Sequence, residues 1–159
     1  MNAIGLWKHV GLITIRLILE ASPELGLKVC MFNDLLFIPF EYGKMDCWIL
    51  AREVFSRLGV NVPDYSPARQ AVMKVNYELG CIAEIMKEEL IGWTFLSNPE
   101  VPCMIMFQSV GVSHHVGVYI GEGKFIHITS KLIYPVIERL DNPLYGNRKF
   151  YRYDPARSD

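Results

Sequence analysis

A chain of 159 residues can bury a real core in one domain without disulfide or metal staples. Sixteen basic against 17 acidic residues, a net charge of -1 and 51% hydrophobic residues leave none of the basic excess that nucleic-acid binding uses, so no nucleic-acid partner is expected. The four cysteines, Cys30, Cys47, Cys81 and Cys103, have neither C-x-x-C spacing nor a nearby His pair, which signals no metal site and no disulfide framework and leaves reduced thiols as the expectation.

The first stretch, MNAIGLWKHVGLITIRLILEAS, is apolar but interrupted by Lys8, His9, Arg16 and Glu20. No run of about 18 to 20 uncharged residues remains, nor a charged region followed by a clean apolar one, so neither a transmembrane segment nor a signal peptide is expected. Periodicity leaves an amphipathic helix and a buried strand both open. In FNDLLFIPFEYG, residues 32–43, Pro39 and Gly43 break any helix, and a loop feeds the next segment.

From Cys47 the small and apolar positions Cys47, Leu50, Ala51, Val54, Phe55 and Leu58 recur at helical spacing, with Arg52, Glu53, Ser56 and Arg57 opposite. Asp46 suits the N-cap, Gly59 the exit and Pro63 the stop, so the spacing predicts a helix over 47–58. Residues 67–91 carry helix formers broken by Gly80 and predict one or two more helices, with 87–89 on a solvated face.

After Val101 the pattern turns to strands: VPCMIMFQSV, then HHVGVYIGEGKFIHI as a hairpin, then RKFYRY. Helices followed by strands is an α+β order. With Gly121, Glu122 and Gly123 as a three-residue loop, Ile120 pairs with Lys124, Val118 with Ile126, Val116 with Ile128 and Gly117 with His127. That register puts His115, Gly117, Tyr119, Phe125 and His127 on one face, the two histidines diagonal to each other with Gly117 leaving room between them. A two-residue loop would set the histidines on opposite faces. His114 points away by alternation, and His9, Cys30, Cys81 and Cys103 carry no such context.

A thiol at a helix start beside an imidazole is favoured as the thiolate, and a base oriented by a third group completes a nucleophilic site. Cys47, His115 and His127 are therefore the candidates. Trp48 and Trp93 read first as core aromatics, with a cleft lining as the other reading.

The same residues resemble the NlpC-type cysteine peptidases, which have a papain-like core. PFEYGKMDCWILAREVFSRLGVNVP is similar to the family's stretch around its nucleophile, and HVGVYIGEGKFIH to its histidine hairpin, in the same order. The resemblance spans residues 37–153 and implies one domain over 1–159 with 1–36 as an extension. It implies Cys47 as nucleophile, His115 as base and His127 as the residue orienting it, with no metal or cofactor. Tyr42, Asp46 and Trp48 are the candidate oxyanion or cleft residues; Phe40 stands where the family often has tyrosine, and Ile49 where it has a small residue.

The implied activity is hydrolysis of an amide in peptidoglycan stem peptides, commonly between D-γ-glutamate and a diamino acid. The DCW form and the PDY that follows resemble the branch found in phage and prophage tail assembly proteins. That branch implies synthesis in the cytoplasm, phage tail proteins as partners and action at the cell wall from the virion tail. Two alternatives stay open: a papain-like acyltransferase or amidase, and a non-catalytic tail component whose cleft is blocked, for instance by Ile49.

Overall fold

The computed structural model describes residues 31–65, 92–109 and 112–157. The N-terminal segment with His9 and Cys30, and residues 67–91 with Cys81, lie outside the described residues, as does the side chain of His114. The chain divides into two units, Met1–Asp34 and Leu35–Asp159, and every element below belongs to the second.

The predicted helix is present as α1, Cys47–Arg57, with Leu58 as its C-cap and Gly59 at φ 82° turning the chain away. Asp46 caps it: Oδ1 accepts from the N–H groups of Trp48 and Ile49 at 3.1 Å each, and Oδ2 accepts from Gly43 N–H at 3.0 Å. Three donors that would otherwise lack intrahelical partners or face a tight loop are thereby satisfied. In the last turn Arg57 Nε donates to Glu53 Oε1 at 2.8 Å, an i,i+4 pair.

The buried stripe of α1 is Trp48, Leu50, Ala51, Val54 and Phe55. This shifts the predicted stripe: Trp48 turns inward, stacking on Tyr65 at 5.0 Å and meeting Trp93 edge-on at 6.3 Å, while Cys47 is left partly exposed. The indole is the larger apolar payload, so its burial decides the rotation of the first turn. Trp93 Nε1 donates to the Tyr65 hydroxyl at 3.1 Å, which keeps this aromatic cluster polar-satisfied at that end.

Six antiparallel strands form one sheet in the order β1-β6-β2-β3-β4-β5: β1 Trp93–Leu96, β2 Cys103–Ser109, β3 Val112–Gly121, β4 Lys124–His127, β5 Val136–Arg139 and β6 Arg148–Tyr153. The predicted strands are β2, β3, β4 and β6. The short edge strands β1 and β5 were not predicted, and Trp93 opens β1 where the sequence suggests only the end of a helical stretch. Val116, Val118 and Ile126 are fully buried on one face of the central strands. On the other, Ile105, Phe107, Phe125 and Leu140 form a core joined by Tyr119, Tyr145 and Phe150. Helix α1 packs against β3 and β4.

The hairpin keeps the predicted pairs Gly117–His127 and Val118–Ile126 but reaches them differently. Lys124 pairs with Gly121, not with Ile120, and the turn is the two residues Glu122 and Gly123, at φ 51° and 67°. Two consecutive left-handed residues match the right-handed twist of the strands, the usual two-residue hairpin solution. The phase is restored by a bulge that leaves Ile120 as the extra residue between Tyr119 and Gly121. The predicted Val116–Ile128 pair does not form within the strands, because β4 ends at His127.

Candidate active site

Gly117 lies opposite His127 in the β3–β4 pairing. A Cβ there would lie 3.0 Å from the Ile126 carbonyl oxygen, 3.1 Å from His127 Cβ and 3.2 Å from Phe125 Cδ2. Glycine therefore lets the two histidine-bearing strands approach with both side chains on one face.

Across that gap His115 Nε2 and His127 Nδ1 are 2.8 Å apart, a hydrogen bond whose direction depends on the tautomers. Phe107, opposite His115 on β2, stacks on its ring at 5.2 Å with the planes 17° apart. His127 is almost wholly buried, flanked by Phe125 at 4.9 Å and by Tyr145 edge-on at 5.5 Å. Burial pushes its pKa down to about 4, while the carboxylate of Glu138 acts in the opposite direction without cancelling the effect. His127 is thus a neutral imidazole at neutral pH, with one nitrogen donating and the other accepting.

Cys47 opens α1, and α1 packs against β3 and β4, the two strands that carry the histidines. A second tie joins the segment before the helix to the chain leaving β4: Phe40 N–H donates to the carbonyl of Ile133. Ile133, exposed and at φ 63°, holds a conformation rarely adopted by a β-branched residue. Tyr42 is 42% exposed on this same loop. Asp46 directs its carboxylate oxygens to backbone N–H groups, and Trp48, 1% exposed, lies in the aromatic core. Cys103 is fully buried, and burial pushes its thiol up to about 12, which leaves it inert.

Among the described residues no group of three or more His, Cys, Asp or Glu side chains could hold a metal ion, and no helix is long and apolar enough to cross a membrane.

Residues 38–151, well over half of the chain, match the NlpC/P60 family. The chain belongs to the NlpC/P60 family. No curated protein matches it. Among solved structures it is similar to the crystal structure of the NlpC/p60 domain of the peptidoglycan hydrolase SagA, at 14% identity and a TM-score of 0.47, over 79% of this chain and 95% of that one. The fold is α+β, one described α-helix with a six-stranded antiparallel sheet.

In this NlpC/P60 domain two polar groups close to His127 escaped the sequence reading. Tyr145 hydroxyl lies 3.5 Å and Glu138 Oε1 3.9 Å from His127 Nε2. Neither has a marker in the sequence: Glu138 arrives from an unpredicted edge strand and Tyr145 from a short 3-10 turn, Pro143–Tyr145.

Proposed function

We propose that this chain is a cysteine endopeptidase that cleaves amide bonds in peptidoglycan stem peptides, at the D-γ-glutamyl–diamino acid bond. The observation that carries the reading is the 2.8 Å contact of His115 with His127 on the two strands against which the Cys47 helix packs. His115 Nδ1 takes the thiol proton as Cys47 Sγ attacks the carbonyl carbon, and the resulting imidazolium returns it to the leaving amine as the C–N bond breaks. A thioester remains. Water, deprotonated by His115, then attacks that thioester and releases Cys47 as the thiol, while His127 holds the base in register throughout. Tyr42, exposed on the loop before the helix, contributes to the pocket for the carbonyl oxygen.

Incubating the purified chain with disaccharide-peptide muropeptides and reading products by mass spectrometry tests this. Cleavage that disappears in Cys47→Ala is expected, and equal product from both proteins would sink the mechanism. We place the activity on a phage tail, delivered to the cell wall with the particle and docked to tail proteins. Mass spectrometry of purified particles from the producing strain checks that placement, and absence of the chain from them would remove it.

A further inference from the structure

The polar chain does not stop at His127. In the β4–β5 register Val136 lies opposite His127 and Glu138 opposite Phe125, so Glu138 is the diagonal neighbour of His127 on the same face. Tyr145 reaches the same place from the other side. Its turn is fixed by Asn142, whose side chain accepts from Leu144 N–H at 3.1 Å and whose carbonyl accepts from Tyr145 N–H at 3.1 Å, and by Arg148, which donates to the Tyr145 carbonyl. The phenol ring packs edge-on against Phe125 at 5.1 Å and tilted on Phe107 at 5.2 Å. Glu138 Oε2 is buried without a hydrogen-bond partner, an unusual cost for a residue with no task.

We propose that Glu138, acting with the Tyr145 hydroxyl, is a positioning residue that fixes the His127 tautomer with its proton on Nε2, so that Nδ1 accepts from His115 Nε2–H. The reasoning is one of donors and acceptors. An ionised carboxylate only accepts, and a phenol that gives its proton to that carboxylate presents its oxygen lone pairs to Nε2. Tyr145 has that bias: burial, and then the neighbouring Glu138 carboxylate, hold its phenol protonated well above the ordinary range. Nε2 of His127 thus faces acceptors and carries the hydrogen. The 3.5 Å contact is long, as hydrogen bonds of catalytic groups often are before substrate binds.

The direction matters for the proposed peptidase chemistry, on which this inference rests. With His127 Nδ1 accepting, His115 carries its hydrogen on Nε2 and offers Nδ1 to the thiol. With the opposite tautomer, His115 would hold its hydrogen on Nδ1 and lose its capacity as a base. The groups facing His127 are His115 from β3, Glu138 from β5 and Tyr145 from the 3-10 turn, with the Cys47 helix packed on β4. The carboxylate at the far end also favours positive charge on His115 when it holds the thiol proton.

Histidine nitrogen-15 NMR on the intact, uniformly labelled chain reads the tautomer directly. A wild-type His127 protonated on Nε2, and a Glu138→Gln variant in which that preference is lost, are the expected results. A wild-type His127 protonated on Nδ1, or an unchanged preference in Glu138→Gln, would overturn the proposal. Tyr145→Phe is the second variant and should shift the tautomer the same way, so a poorly folded Glu138→Gln does not end the test. Iodoacetamide modification of Cys47 near neutral pH should slow about 10-fold in either variant, with Glu138→Asp recovering part of the rate. These readouts need no peptidoglycan: absent muropeptide cleavage by the wild type would reject the proposed function, while the NMR result would still decide the role of Glu138.

Discussion

Gly117→Ala gives the sharpest test of how the strands set the histidines. The added methyl would meet the Ile126 carbonyl oxygen at 3.0 Å and His127 Cβ at 3.1 Å, atoms that move only if β4 moves, and Phe125 Cδ2 at 3.2 Å in a packed core. Overpacking of this kind costs about 1–3 kcal/mol, and backbone-anchored neighbours place it in the upper half of that range. Replacing glycine lowers the entropy of the unfolded chain and returns about 0.4–1 kcal/mol. The expected net loss is therefore about 2 kcal/mol, roughly a 30-fold fall in the folding constant. Urea denaturation should show a lower midpoint at unchanged slope. The same methyl pushes His127 from His115, so muropeptide turnover should fall further than the folded fraction does. Gly123→Ala is the comparison: at φ 67° with open space around it, it should lose only about 1 kcal/mol and keep its site. A Gly117→Ala protein with an unchanged midpoint and unchanged turnover would refute the idea that glycine sets the spacing.

Because His127 has its pKa lowered from 6.5 to about 4, the unfolded chain binds more protons between those values, and folding loses stability as pH falls through that window. The loss attributable to this residue approaches about 3 kcal/mol below pH 4, so the stability of His127→Asn should fall less between pH 7 and pH 5 than that of the wild type; equal slopes would reject the assignment. Asp46→Ala removes the acceptor of three backbone N–H groups and should destabilise by about 2 kcal/mol in the same denaturation assay, with Asp46→Asn intermediate. Cys103 should stay unmodified under native alkylation that labels Cys47, and become reactive only on unfolding, as peptide mapping will read.

Helix α1 was legible because its period, its aspartate cap and its glycine exit all agree, and agreement across levels is what specifies a structure. The sequence could not rank Cys47 against Trp48 for the inward position, since both count as apolar in a pattern; the available partners Tyr65 and Trp93 decided it. The histidine register was legible from apolar alternation across the hairpin. The turn was not, because a non-glycine residue at φ 51° such as Glu122 is uncommon, and Gly-Glu-Gly reads more naturally as a three-residue loop. Strands β1 and β5 span four residues each and, unlike the equally short β4, follow no Gly-Glu-Gly turn that marks them; they owe their form to the neighbours they pair with. Glu138 and Tyr145 were invisible for that reason: only the pairing of β5 and the turn after it bring them to His127.

The bulge at Ile120 makes the hairpin a device of parity. His127 shares a face with His115 because the one extra residue at Ile120 offsets the two-residue turn; the same stretch of chain paired without the bulge would set the two histidines on opposite faces. Deleting Ile120 alone would close the bulge into a regular two-residue hairpin and leave Gly117 opposite His127, with the second imidazole still on the face of Tyr119 and Phe125. A change of length at a paired position in this stretch has to be absorbed by the turn or the bulge to keep that register, whereas the connection from Ile128 to Pro135 lies beyond the second histidine and carries no such constraint.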